Sequence, residues 1–212
     1  MTTEATIEQA TIEWLQDLKY THLDGAELPQ NHKDVVLKDQ LLAFIEKQYP
    51  QLSKEIQQLA VAEFTNNLGA DLDHRNRTFH LKLTKGIDYN YEDASGKEKA
   101  VHIYPIDFEN PENNSFWAVN QFTITGKNKR RPDIIFYING LPLVVFELKN
   151  WYDENTNIKE AHNQIQHYIK DIPTLFEYNA LTIISDGNEA QHGMFSSGME
   201  WFSAWKSING ID

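Results

Sequence analysis

Apolar residues recur with helical spacing from Thr6 to Tyr20, where Ile7, Ala10, Thr11, Trp14, Leu15 and Leu18 fall on one face and predict an amphipathic first helix. The same spacing predicts helices over Asp34 to Lys47 and Ser53 to Asn67, separated by Pro50, with Ser53 placed to cap the second. Their stripes are Val35, Leu37, Leu41, Phe44 and Ile45 in one, and Ile56, Leu59, Ala60 and Phe64 in the other. Both read as packing elements. From Thr78 the pattern shortens to alternation, which predicts strands at Phe79 to Leu83, Ile87 to Tyr91 and Val101 to Ile106, with a hairpin turn at Ala94-Ser95-Gly96-Lys97. Asp107 to Asn114, DFENPENN, is rich in turn residues and lacks the spacing of a calcium loop; a further strand follows over Phe116 to Thr125.

The most strongly patterned stretch is Arg130 to Asn150, RRPDIIFYINGLPLVVFELKN. Two apolar, β-branched runs, Ile134 to Ile138 and Leu141 to Leu148, flank Asn139-Gly140, a dipeptide suited to the tight turn of a hairpin. The second run is apolar at almost every position, which predicts a strand buried on both faces in the middle of a sheet. Asn157 to Ile172 then returns to helical spacing, with Ile158, Ala161, Ile165, Tyr168, Ile169 and Ile172 in its stripe. Leu181 to Ser185 and Gln191 to Phe195, joined at Asp186-Gly187, suggest a closing pair of strands. Trp201, Phe202 and Trp205 predict a tail helix with a face to bury.

Helices at both ends of a strand-rich middle describe an α/β domain, a mixed sheet flanked by the first helix and by the helix over Asn157 to Ile172. The chain of 212 residues is long enough for a single large domain, with a core over about residues 1–20 and 75–200 and a small helical annex over about 30–70. No apolar run is long enough to span a membrane, and no signal peptide is recognisable. The absence of cysteine excludes disulfides and thiolate metal sites and fits a cytoplasmic protein. A net charge of −12 is poorly suited to gripping a phosphate backbone unaided. If the substrate is nucleic acid, other domains or subunits are expected to supply most of the affinity.

The buried second strand of the hairpin ends in Glu147 and Lys149, which share a face, while Asp133 stands at the far end of its partner. Asp133 and Glu147 could ligate Mg²⁺, which takes one or two carboxylates and completes its shell with water and phosphate oxygens. Such a metal lowers the pKa of a bound water, and Lys149 could orient or deprotonate that water or stabilise transition-state charge. Geometry sets a condition. A strict two-residue turn would put Asp133 opposite Phe146 and the two carboxylates on opposite faces. A shared site therefore requires an odd-length loop, a bulge before Glu147 or a bend at Pro132.

Glu8 projects into the apolar arc of the first helix, either as an extra acidic group at this site or as a first-turn glutamate leaning into solvent. Lys127, Lys129, Arg130 and Arg131 reverse the local charge just before Pro132-Asp133, either to contact DNA phosphates or as a solvated hairpin tip. Gln164 and Tyr168 neighbour each other on one helix surface, where a core aromatic and a solvent-facing amide are the simpler reading.

Pro132-Asp133, a hairpin and Glu147-x-Lys149 together resemble the signature of the PD-(D/E)xK nuclease superfamily. A more specific likeness runs through TIEQATIEWLQDLKY, IDFENPENNSFWAVNQFTITGKNKRRPDIIFYINGLPLVVFELKN, the pair Gln164 and Tyr168, and IISDGNEAQHG. On these residues the chain resembles the N-terminal endonuclease region of the R (restriction, motor) subunit of type I restriction-modification enzymes. The resemblance implies a restriction-endonuclease-type fold over residues 1–212, with Asp133 and Glu147 as Mg²⁺ ligands, Lys149 as the catalytic lysine and Gln164 and Tyr168 as a QxxxY motif beside them. It matches Glu8 to a first-helix glutamate more loosely. It further implies cleavage of double-stranded DNA, coupled in a longer protein to ATP-driven translocation and to modification and specificity subunits. No phosphate-binding loop of Gly-x-x-x-x-Gly-Lys-Ser/Thr type occurs here, so ATP is expected to bind the helicase domains of the longer subunit and not this chain, which reads as a fragment of it. A self-contained repair or RNA nuclease and a non-catalytic docking module stay open as alternatives.

Overall fold

A computed structural model describes residues 4–28, 33–93, 95–150 and 158–205. The described residues begin with α1 (Glu4–Asp17), β1 (Thr21–Asp24), α2 (Lys38–Gln48), α3 (Lys54–Thr65) and α4 (Leu72–Lys85). Strands β2 (Ile87–Glu92), β3 (Glu98–Ile103), β4 (Phe116–Asn120), β5 (Ile124–Thr125), β6 (Lys129–Arg130), β7 (Ile134–Ile138) and β8 (Leu141–Leu148) follow, with a 3-10 turn at Pro111–Asn113. The remainder is α5 (Ile158–Asp171), α6 (Pro173–Phe176), β9 (Leu181–Ser185), β10 (Ala190–Gly193), a 3-10 turn at Met199–Trp201 and β11 (Ser203–Ala204). The described residues fall into two compact units, one within 1–35, 116–137 and 142–212, the other within 36–115 and 138–141.

The first unit is built on a mixed seven-stranded sheet ordered β1-β4-β7-β8-β9-β10-β11, the restriction-endonuclease-like architecture. β1 runs parallel to β4, and β8 parallel to β9, through the crossover that holds α5. β9, β10 and β11 are antiparallel. β8 is central and nearly continuous in burial, as its apolar run dictates, with Leu141, Val145 and Leu148 at most 1% exposed. α1 lies on one face, where Ile12 and Leu15 pack against Ala118, Ile134 and Leu148.

The second unit joins α2, α3 and α4 to the antiparallel pair β2-β3. The Ser53 side chain accepts the Ile56 N–H and opens α3 as expected. Gly140 has φ +82, and a Cβ there would lie 2.3 Å from the Leu37 carbonyl oxygen. Gly140→Ala should therefore lower stability by about 1–3 kcal/mol, read as a lower urea midpoint at unchanged m-value.

Three expectations fail for identifiable reasons. Phe79 to Leu83 is helix, not strand. Asp71 caps α4 by accepting the His74 N–H, Gly86 ends it at φ +65, and Phe79 and Leu83, four residues apart, are its buried stripe. The first helix turns a different face inward. Ile12 is buried, whereas Trp14 and Leu18 are 71% and 70% exposed. The tail is no helix, because the Trp205 N–H bonds the Ala190 carbonyl and Ser203 and Ala204 pair with β10 as an edge strand. Residue 94 of the expected turn and residue 157 at the expected start of α5 lie outside the described residues.

Candidate active site

The hairpin of β7 and β8 carries the candidate chemistry. Asn139 (φ +50) and Gly140 (φ +82) form a two-residue turn with both φ values positive, the type I′ geometry that matches strand twist. Yet Ile134, Phe136, Phe146 and Leu148 all join the cluster under α1, and the rings of Phe136 and Phe146 lie 5.7 Å apart between centroids. Even-numbered side chains of both strands share this face. The pairing therefore slips by one residue along the hairpin, as a bulge makes it do. Glu147, at an odd position, points instead toward Tyr168 on α5, and Asp133 comes close beside it.

Glu147 is 1% exposed. Its Oε1 accepts a bond from Lys149 Nζ at 2.9 Å, and its Oε2 is buried with no hydrogen-bond partner among the described residues. Burial pushes this carboxyl up to about 8, with help from the neighbouring Asp133 and against the pull of Lys149. Asp133 Oδ2 accepts the Leu148 N–H at 2.7 Å. Burial pushes Asp133 up to about 6, although that hydrogen bond and Lys149 act in the opposite sense.

Lys149 Nζ also reaches Glu4 Oε1 on α1 at 2.8 Å. Burial alone would lower the lysine, but the charge of Glu147 and the bonds to Glu4 and Glu147 outweigh it and hold the ammonium above its ordinary range. On α5, burial and the nearby Glu147 raise the Tyr168 hydroxyl, against a bond from Gln164. That hydroxyl donates at 3.4 Å to the Arg131 carbonyl and also stands against the Glu147 carboxyl, whose Oε2 makes no hydrogen bond of normal length and angle.

Glu8 sits at the edge of this group. Its Oε1 accepts from Asn120 Nδ2 at 2.8 Å and its Oε2 from Gln121 Nε2 at 2.7 Å, so it turns inward and does not lean into solvent. Glu8 and Glu4 both raise Asp133 through their charge. The basic stretch is divided. Arg130 Nε bonds Asp171 Oδ2 at 2.7 Å, and Asn128 Nδ2 bonds the other oxygen at 2.7 Å. Lys127, Lys129 and Arg131 remain exposed.

Asp133, Glu147, Lys149 and Tyr168 thus converge, with Gln164 behind Tyr168 and Glu8 beside Asp133. Arg130 is drawn off into an ion pair with Asp171. Sequence reasoning missed Glu4, Asn120, Gln121 and Asp171. No periodicity marks Glu4, whose partner Lys149 is 145 residues away. Asn120-Gln121 carried a weak sign, two amides closing a strand.

The family described as "Type I restriction enzyme R protein N terminus" matches residues 1–200. The chain belongs to this family. Among relatives of this type I R-protein N-terminal domain, the HindI endonuclease subunit of Haemophilus influenzae is 38% identical over 219 residues, covering 99% of the chain and 21% of the relative. The MjaIXP endonuclease subunit of Methanocaldococcus jannaschii is 30% identical over 216 residues, covering 97% and 20%. The EcoprrI endonuclease subunit of Escherichia coli is 33% identical over 109 residues, half of the chain. The type I R-protein domain described here spans about a fifth of the length of the first two. Among its described residues no helix is long and apolar enough to cross a membrane.

Proposed function

We propose that this domain is a Mg²⁺-dependent endonuclease of PD-(D/E)xK type that cleaves double-stranded DNA, with Asp133 and Glu147 holding the metal and Lys149 acting beside it. The observation that carries the reading is Glu147 Oε2, a buried carboxylate oxygen with no hydrogen bond of normal geometry among the described residues, next to the half-buried carboxyl of Asp133. Nearly all buried polar atoms in folded proteins are satisfied, so an orphan of this kind asks for a cation. The donor set fits Mg²⁺, because hard carboxylate oxygens suit it and it keeps several waters. No group of three or more His, Cys, Asp or Glu side chains is gathered among the described residues, which favours a shell completed by water and phosphate over an all-protein cage.

When bound, Mg²⁺ would supply Lewis acidity and a water of lowered pKa. The chain's own residues do the rest. The Leu148 N–H fixes one oxygen of Asp133. Lys149, held protonated between Glu147 and Glu4, presents a positive charge where a scissile phosphate would gain negative charge. Tyr168 stands against Glu147, with Gln164 bonded to its hydroxyl. Lys127, Lys129 and Arg131 are placed to meet neighbouring phosphates.

In the longer subunit this cleavage would be coupled to ATP-driven translocation by helicase domains and to modification and specificity subunits, in the cytoplasm. The net charge of −12 agrees with DNA being delivered by those parts and not captured here. Calorimetric titration of Mg²⁺ or Mn²⁺ into the chain, and into Asp133→Ala and Glu147→Ala, is the direct test. Binding is expected in the first and absent from both variants, together with nicking of plasmid DNA at low salt by the unaltered chain. Equal binding by all three proteins would overturn the assignment.

A further inference from the structure

Gln121 is one of three non-glycine residues with positive φ among those described, at +52. The left-handed region is uncommon for an unbranched residue outside Asn and Asp, and a residue held there is one whose surroundings insist on it. Two bonds of its own and two of its neighbour supply that insistence. The Gln121 N–H donates to the carbonyl of Asp133 at 3.0 Å, and its Nε2 donates to Glu8 Oε2 at 2.7 Å. Next to it, Asn120 Nδ2 donates to Glu8 Oε1 at 2.8 Å, while Asn120 Oδ1 faces His22 Nε2 on β1 at 2.9 Å. One dipeptide, at the point where β4 ends, therefore grips the backbone of one candidate metal ligand and both oxygens of the first-helix carboxylate.

We infer that Gln121, assisted by Asn120, is a positioning residue for the nuclease centre: its left-handed backbone holds the Asp133 carbonyl, and its amide with that of Asn120 holds the Glu8 carboxylate at the edge of the same group. The inference rests on the nuclease reading above. The left-handed φ at 121 goes together with both bonds, the N–H to the Asp133 carbonyl and the side-chain amide to Glu8. Residues that orient metal ligands through hydrogen bonds commonly change metal affinity or activity by about 10–100-fold when altered.

Two substitutions separate positioning from folding. Gln121→Asn keeps an amide, and Asn accepts positive φ more readily than Gln, so the backbone relaxes, but the shorter side chain loses its reach to Glu8. Gln121→Glu keeps the length and sets a second carboxylate against Glu8. Mn²⁺ affinity by calorimetry and thermal midpoint without metal are measured for the 212-residue chain, both variants, Glu8→Gln and the double variant Glu8→Gln/Gln121→Asn. Gln121→Asn should melt at or above the temperature of the unaltered chain yet bind Mn²⁺ about tenfold more weakly. Gln121→Glu should bind more weakly still, and the double variant should bind no more weakly than Glu8→Gln alone.

Unchanged Mn²⁺ affinity in both Gln121 variants, with binding lost on changing Asp133, would overturn this inference and leave the nuclease reading standing. Additive losses in the double variant would also overturn it, since Gln121 would then not act through Glu8. Absence of Mn²⁺ binding in the unaltered chain would overturn both.

Discussion

Glu147→Gln is expected to abolish DNA cleavage, by on the order of a thousandfold or more, while raising the thermal midpoint of the metal-free domain. The two effects have one origin. Glu147 is buried beside Asp133 with one oxygen unpaired, an arrangement that costs stability whenever both groups are ionised. Glutamine keeps the volume and can still accept from Lys149 through its carbonyl oxygen, and the lysine retains Glu4 as a counter-charge. Removing the like-charge contact should therefore raise the midpoint by about 2–4 °C, read by calorimetry at pH 8 with chelator present. A domain whose Glu147 were merely structural would instead lose stability on this change. Opposite movement of activity and stability is the mark of a carboxylate kept for a cation.

The second large effect is on pH. Asp133 is pushed up to about 6 and Glu147 to about 8, both above their ordinary values near 4. Between about pH 4 and pH 8 the folded, metal-free domain therefore binds more protons than the unfolded chain. The sign is fixed by that difference. The stabilisation is fully present at the acid end and is lost as pH rises through the folded pKa values, with little further loss above about pH 8. The Asp133 shift alone sets the scale at on the order of 3 kcal/mol. Urea midpoints in chelator should fall across this range. With saturating Mg²⁺ they should recover at the alkaline end, because the metal binds the ionised pair that the apo protein disfavours. A metal-free curve that rises from pH 5 to pH 8 would contradict the assignment.

Much of this was readable in the residues because the signals were local. Asn139-Gly140 between two β-branched runs could only be a hairpin, and Asp133, Glu147 and Lys149 are placed by that hairpin. A departure from the strict hairpin could also be demanded beforehand, by an odd-length loop, a bulge or a bend at Pro132, since a period of two forbids both carboxylates on one face without one. What escaped was tertiary. Thr78 to Leu83 alternates polar and apolar residues as a strand would, yet Leu81 is 46% exposed and only Phe79 and Leu83 are buried, the spacing of a helix turn. The sign that could have found α4 was Asp71 before it and Gly86 after it, a cap at each end. Trp14 and Leu18 looked like core because large apolar residues usually are, but α1 buries only the face that Ile12 and Leu15 share. The tail aromatics had helical spacing and were recruited by an open sheet edge. Asp171 drew Arg130 out of the basic stretch from 41 residues away, a distance at which no window of sequence reports a partner.

The reach of Glu4 to Lys149 bears on how the centre moves. The carboxylate pair belongs to a hairpin inside a central sheet, among the last parts of a domain to open. The lysine's second partner belongs to the first turn of a helix anchored chiefly by Ile12 and Leu15, two and three turns further on. Helix ends fray at a small fraction of the free energy needed to part a sheet. The ammonium can thus exchange its tether while both carboxylates stay fixed. One half of the centre is rigid on the timescale of global unfolding; on the nuclease reading proposed above, the other half would let the ammonium turn from Glu4 to a phosphate without disturbing the strands beneath.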